Sequence, residues 1–381
     1  MIRQDRLVKL TQKLVRFDSS NPPGLELDCA KFIEQDMRSL GLEVRTVSYA
    51  KNRPNVIATL KGTAPRAKAQ REALLLTPHF DTVPVGEGWK FKPFGGEIRA
   101  GKIYGRGTSD DKGNAAACME VMRSLVEDGI RLEHDVVMAA TVDEECGSHL
   151  GIIPLIEKKV VRPKLALVVD STEFDAVITQ KGVLFLRARI FGKKAHSAFN
   201  WRGESAIETA ARCITRLTKI RFPYKRHRLL HAPTINMGVI HGGDKVNMVA
   251  DVCEFTIDHR FCPGTPYREP LGLIREAIAK EARKFKLIVD DIQQPYEIAG
   301  DHPYVRKFMQ VNRALKSPAK LKGSEGATVI TFFQKHGIPA FATGWGAHGT
   351  LHTNDEYIYI KSLYHGTRIL EQFVREFDAL A

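Results

Sequence analysis

At 381 residues the chain is longer than one hydrophobic core usually fills, so two domains are expected, and 43% hydrophobic content is that of a globular protein. No apolar run is long enough to cross a bilayer, and Met1-Ile2-Arg3-Gln4-Asp5-Arg6 leads into mixed polar sequence instead of a signal-peptide core; a cytoplasmic protein without membrane contact is expected. The formal charge of +13 and pI near 9.4 favour anions, but neither basic cluster (Lys61, Arg66, Lys68, Arg71; Arg216, Lys219, Arg221, Lys225, Arg226, Arg228) comes with a groove-reading motif or an aromatic platform, so a solvated surface is expected in place of a nucleic-acid site.

Leu7, Leu10, Leu14 and Phe17 recur at helical spacing, and the turn-rich Ser19 to Gly24 stops them. A second helix carries Cys29, Ile33, Met37 and Leu40 on one stripe, with Gly41 as its stop. Strands are expected at Leu42 to Val47, Asn55 to Leu60 and Ala73 to Thr77, and a helix from about Ala115. The six cysteines (Cys29, Cys118, Cys146, Cys213, Cys253, Cys262) form no close pair and read as reduced core thiols.

Four apolar runs end at residues that bind metals: Leu74 to Leu76 at His79 and Asp81, Val136 to Val142 at Asp143-Glu144-Glu145, Leu165 to Val169 at Asp170, and Pro339 to Thr343 at a glycine-rich loop with His348 and His352. In an open α/β sheet ligands bind at the carboxyl ends of strands, so the four can converge on one crevice. From Thr179 to Gln294 the order is β-α-β-β-α-β: a strand at Val183 to Phe191, a helix at Glu204 to Lys219, strands at Thr234 to Ile240 and Cys253 to Phe261, a helix at Pro270 to Phe285 and a strand at Leu287 to Ile292. That is a ferredoxin-like module inserted into an α/β domain, which resumes with a helix at Tyr304 to Ala314. The expected fold is α/β: a mixed, largely parallel sheet sandwiched by helices in 1–178 and 295–381, with an α+β insert at 179–294.

The segment Gly105-Arg106-Gly107-Thr108-Ser109-Asp110-Asp111-Lys112-Gly113 has the glycines a tight turn needs. A hydrolytic site with two metals needs ligands on both ions, a shared bridge and a base beside them. His79, Glu145, Asp170 and His352 can supply the separate ligands and Asp110 the bridge. Nitrogen and oxygen donors without thiolate suit zinc, with cobalt or manganese as substitutes. Asp81, on the same side of an extended segment as His79, can accept the other ring N–H. Glu144 and Glu145 point apart on an extended chain, so one can ligate while the other takes a proton.

The series His79-Phe80-Asp81-Thr82-Val83-Pro84, Gly96-Glu97-Ile98, Gly101 to Gly107 with Asp110, Asp143-Glu144-Glu145, Gly192 to Ala198, Gly242 to Asn247 and His352 to Tyr357 resembles the di-zinc metallopeptidases related to acetylornithine deacetylase, succinyl-diaminopimelate desuccinylase, aminoacylase and glutamate carboxypeptidase. The resemblance covers nearly the whole chain. It implies that His79 and Asp170 hold one zinc, Glu145 and His352 the other, and that Asp110 bridges both. It further implies Glu144 as general base, Asp81 as the residue orienting His79, and the insert as a lid through which a homodimer forms. His196 would reach the partner's site and donate to the oxyanion, Arg260 would bind the substrate carboxylate, and Asn247 would assist. The implied activity is amide hydrolysis of a small N-acyl amino acid by metal-activated water, with a dipeptidase or carboxypeptidase as the nearest rival and a non-catalytic binding protein on this fold as the distant one.

The chain departs from relatives near acetylornithine deacetylase at Ser324-Glu325-Gly326-Ala327, where Gly-Thr-Asp-Ala is usual, and at Gly344-Trp345-Gly346, where Gly-Pro-Gly is usual. Both segments are expected to line the substrate pocket.

Overall fold

The computed structural model describes residues 1–65, 73–170, 173–347 and 349–380, so Arg66, Lys68, Arg71 and His348 lie outside the described residues. The chain divides into two compact units, Met1–Ile178 with Ile298–Lys322 and Phe332–Ala381, and Thr179–Glu297 with Gly323–Thr331.

In the first unit the strands Val136–Ala140, Leu74–Thr77, Leu165–Val169 and Ala340–Thr343 lie side by side and mutually parallel. The last three are buried at every position, as strands covered on both faces must be. Antiparallel neighbours extend this core, Pro54–Leu60 against Val136–Ala140 and Glu43–Ser48 beyond it, while Ala342 faces Val177 on the other side. The helix Lys112–Glu127 packs among Gln4–Val15, Ile360–Glu376 and the central strands, and Leu27–Ser39 covers Pro54–Leu60. Because the four parallel strands run in one direction, their carboxyl ends share one edge of the sheet, and the segments that carry His79, Glu145, Asp170 and His352 leave from that edge, whereas Asp110 follows Lys102–Tyr104 of a separate small sheet.

The second unit has an antiparallel sheet in the order Thr234–Asn236, Val252–Phe261, Gly182–Phe191, Phe285–Gln293, with Ile240–Gly242 also on Val252–Phe261. Burial alternates along Val252–Phe261, and its inward Cys253, Phe255, Ile257 and Phe261 join Leu184, Leu186, Ala188 and Ile190 against the helices Ala206–Leu217 and Arg268–Ala279. This is the ferredoxin-like order read from the sequence.

Local limits differ from expectation where long-range pairing overrides local pattern. The helix expected to reach Phe285 stops at Ala279, since Phe285 pairs with Ile190 in the sheet. The single strand expected at Thr234 to Ile240 is two, because the register against Val252–Phe261 slips by one residue between Asn236 and Ile240, as at a bulge. Cys146 is exposed, unlike the other five thiols, which are buried.

Candidate metal centre

Each strand end delivers the expected side chain to one place. His79 Nε2 lies 3.0 Å from Asp110 Oδ1, and His352 Nε2 lies 3.1 Å from Asp110 Oδ2 and 3.2 Å from Glu145 Oε2. Ligand atoms of His79, Asp110 and Asp170 lie within 4.8 Å of one another, as do those of Asp110, Glu145 and His352. Asp110 therefore offers one oxygen to each imidazole. Glu145 Oε1 is buried with no hydrogen-bond partner among the described residues, an arrangement that costs free energy unless a cation or donor meets it. The donor set fits two divalent cations with a shared carboxylate, and its lack of thiolate fits zinc, cobalt or manganese.

The turn before Asp110 requires glycine. Gly105 (φ 149°) and Gly107 (φ 84°) lie in the region that disfavours side chains, and a Cβ would fall 2.5 Å from Val15 Cγ1 in the first case and 2.7 Å from Thr82 Cγ2 in the second. The turn's N–H groups close on Glu356, whose carboxylate accepts from Gly107 (3.1 Å), Ser109 (2.9 Å) and Asp110 (3.1 Å). The next residue, Asp111, accepts from the His79 N–H at 3.1 Å and from Asn114 Nδ2 at 2.6 Å, so it fixes His79 through its backbone.

Glu144 and Glu145 are not on extended chain as expected. Asp143 adopts left-handed φ of 68° and starts a single 3-10 turn, Glu144–Cys146. The reason is Asp81, fully buried, whose two oxygens accept the N–H groups of Glu144 (3.1 Å) and Glu145 (3.2 Å) and so bend the chain around one carboxylate. Asn21 Nδ2 donates to the same group at 3.0 Å. His79 Nδ1 is nearer the Asp81 carbonyl oxygen (3.1 Å) than its carboxylate (3.5 Å), so the carbonyl is the main partner of the ring. Asp81 thus holds the two glutamates as much as it orients the histidine.

Electrostatics separate the roles. Burial, reinforced by Asp170, Glu145 and Asp110 and opposed by His79, pushes the Glu144 carboxyl above the usual carboxylate range, so without cations it tends to keep a proton. Burial also opposes ionisation of Asp110, but the hydrogen bonds from His352 and His79 win and hold it well below that range. Hydrogen bonds to Asp110 and Glu145 raise His352 to about 10. His79 is likewise raised, against burial, by Asp110 and Asp81.

The remaining expected residues belong to the second unit. His196 and Asn247 are exposed and adjoin each other: Ser197 N–H donates to the Asn247 carbonyl at 3.1 Å, and His196 Nδ1 accepts from Ala198 N–H. Arg260 is held by Asp258, Nε to Oδ1 at 2.7 Å and Nη2 to Oδ2 at 2.9 Å, which leaves the Nη1 edge of the guanidinium free of that partner.

A family model described as peptidase family M20/M25/M40 matches residues 75–376, a span that contains all five candidate ligands. The chain belongs to this family. An acetylornithine deacetylase of Photorhabdus laumondii is 30% identical over 355 residues, covering 88% of this chain and 86% of that protein. Among solved structures, aminopeptidase PepT of Bacillus cereus aligns with TM-score 0.82 and 25% identity over 99% of each chain, and the metallo-carboxypeptidase Sso-CP2 of Sulfolobus solfataricus with TM-score 0.82 and 19% identity over 99% of this chain and 100% of that one. The chain is therefore a hydrolase of the M20 family, with the mixed α/β fold of its structural neighbours, and no helix among its described residues is long and apolar enough to cross a membrane.

Within this M20 chain one expected pocket residue is in the core instead. Trp345 is fully buried, and a Cβ on Gly366 of the helix Ile360–Glu376 would come within 2.0 Å of its indole. The Trp345 backbone N–H donates to Asn114 Oδ1 at 3.0 Å. The absence of a side chain at position 366 makes room for tryptophan where proline is usual. Glu325, in the other departing segment, pairs with Lys181 Nζ at 2.5 Å and accepts from His231 N–H at 2.9 Å. Sequence reading missed the supports Asn21, Asp111, Asn114 and Glu356; an acidic or amide residue carries no periodic signal that separates a buried acceptor from a solvated one.

Proposed function

We propose that this M20 hydrolase cleaves the amide bond of a small N-acyl amino acid, with zinc as its natural ion. The observation that carries the reading is the meeting of two ligand groups on Asp110, with Glu144 beside them on a turn fixed by Asp81. His79 and Asp170 would hold one cation, Glu145 and His352 the other, and Asp110 both. Cations held by these residues would supply Lewis acidity toward the scissile carbonyl and toward a water near neutral pH. Glu144 takes the proton from the attacking water and returns it to the leaving amine. Asp81 keeps the Glu144 backbone in place during both transfers. Arg260 receives the substrate carboxylate on its free edge, and Asn247 assists.

Residues 179–294 serve in this reading as a lid and dimerisation domain on the catalytic parts 1–178 and 295–381, with His196 donating to the oxyanion in the partner's site. Support comes from the exposed apolar side chains near it: Trp201 (72%), Val246 (98%) and Phe199 (47%). Sedimentation of the wild-type protein should give a dimer, and His196→Ala should be nearly inactive; a fully active monomer would remove the partner-subunit role.

The deciding assay is a panel of N-acetyl and N-succinyl amino acids set against dipeptides and tripeptides, with zinc or cobalt added. Preferential turnover of an acyl amino acid is expected. Turnover of peptides alone would assign the chain to the peptidase side of the family.

A further inference from the structure

Glu356 is a carboxylate with no exposed surface, four residues beyond His352. Burying such a charge is unfavourable unless donors surround it. Here they do. Its Oε1 accepts from Ser109 and Asp110 N–H, and its Oε2 accepts from Gly107 N–H and from Arg106 Nη1 at 2.9 Å. Its carbonyl oxygen accepts from Gly105 N–H at 2.9 Å. Three amides of the turn, those of Gly107, Ser109 and Asp110, thus converge on an anion site of the kind that elsewhere holds phosphate, and the protein fills it with its own carboxylate.

The same short segment is fastened on its other side. Asp355 Oδ1 accepts from Lys90 and Phe91 N–H at 2.9 and 3.0 Å, and Asn354 Nδ2 donates to the Glu87 carbonyl at 2.6 Å. His352 and Asp355 both adopt left-handed φ, 60° and 55°, which a non-glycine residue keeps only where its surroundings hold it. Three consecutive side chains supply that hold. Arg106 adds a further tie by donating to the Thr353 carbonyl at 3.2 Å.

We propose that Glu356 is the positioning residue of the metal centre: by filling the amide ring of the Gly105–Asp110 turn, it sets the shared ligand Asp110 and the His352 loop in register before any cation binds. It touches neither substrate nor cation, and acts through the two ligands it aligns. The inference rests on the reading of Asp110 as a ligand common to two cations.

The test compares two buried carboxylates of the same unit. Glu120 also has no exposed surface and accepts from Arg3 N–H and from Arg6 Nε and Nη2, donors that do not belong to the metal centre. Full-length wild type, Glu120→Gln and Glu356→Gln are titrated with cobalt, followed by absorption and by elemental analysis of bound ions. Wild type and Glu120→Gln should take up two ions alike, whereas Glu356→Gln should lose about 10- to 100-fold in affinity for at least one, the range seen when support behind a ligand is removed. Folded Glu356→Gln with wild-type affinity for both ions overturns the proposal, and so does equal weakening in Glu120→Gln. If Glu356→Gln does not fold, Glu356→Asp, which keeps the charge but draws it out of the ring, is read by the same criterion. Fewer than two ions on wild type would overturn the shared-ligand reading itself, and the role of Glu356 with it.

Discussion

The two halves of the candidate metal centre are built differently although both end on Asp110. His79 follows a buried strand by two residues, has only 4% of its side chain exposed, and is held by Asp81, Asp110 and Asp111. His352 sits on a loop in left-handed conformation with 53% of its side chain exposed. The first half is part of the core, and the second is carried to it by side chains such as Glu356. A ligand built into the core is coupled to folding; a ligand on a fastened loop is coupled chiefly to metal binding.

Glu144 belongs to neither half, and its removal should have the largest effect. Glu144→Gln should lower kcat by about 10²- to 10⁴-fold, the contribution of a positioned proton carrier, while both halves still load metal. Full turnover with normal loading would contradict the role given to that residue, and impaired loading would break the separation between ligands and base.

His79→Ala and His352→Ala test the contrast directly. Each should forfeit an ion, but His79→Ala takes a buried imidazole away from Asp110 and should cost about 3 kcal/mol of stability. His352→Ala should cost under about 1 kcal/mol, because the His352 side chain is half exposed. Equal losses in chemical denaturation would erase the distinction drawn here.

Gly366→Ala acts on the loop side from behind. The added methyl meets the Trp345 indole, and overpacking of this kind costs about 1–3 kcal/mol. Trp345 begins the loop that ends at His352, so cobalt affinity should weaken in this variant as well; a stability loss with unchanged cobalt affinity would uncouple the core from the loop.

The smallest effect is a pH dependence of the cation-free protein. His352 has its pKa raised from the ordinary value near 6.5 to about 10 by Asp110 and Glu145. A raised histidine adds stability that is fully present below the unfolded pKa and disappears as pH rises through the folded one. The melting temperature of chelated wild type should therefore exceed that of His352→Ala at pH 6, and the gap should close above about pH 10. A gap that widens with pH would show the sign to be wrong.

Much of this was legible in the residues. Apolar runs ending in His79, Asp143-Glu144-Glu145, Asp170 and the late glycine loop indicated strand ends at one crevice, because a strand's direction fixes where the next side chains emerge. The β-α-β-β-α-β order between Thr179 and Gln294 likewise indicated the ferredoxin-like insert. What failed was local: an extended Glu144–Glu145 became a turn, and Trp345 moved from pocket to core. In both cases a distant residue decided, Asp81 for the turn and Gly366 for the tryptophan.

The sequence by itself determined which elements form and which side chains can ligate, since periodicity and donor chemistry are properties of neighbouring residues. Only the tertiary structure decided how those side chains are held. Glu356, Asp111 and Asn21 take their meaning from backbone N–H groups and side chains far along the chain, and a buried carboxylate is distinguished from a solvated one only by the donors that folding gathers around it.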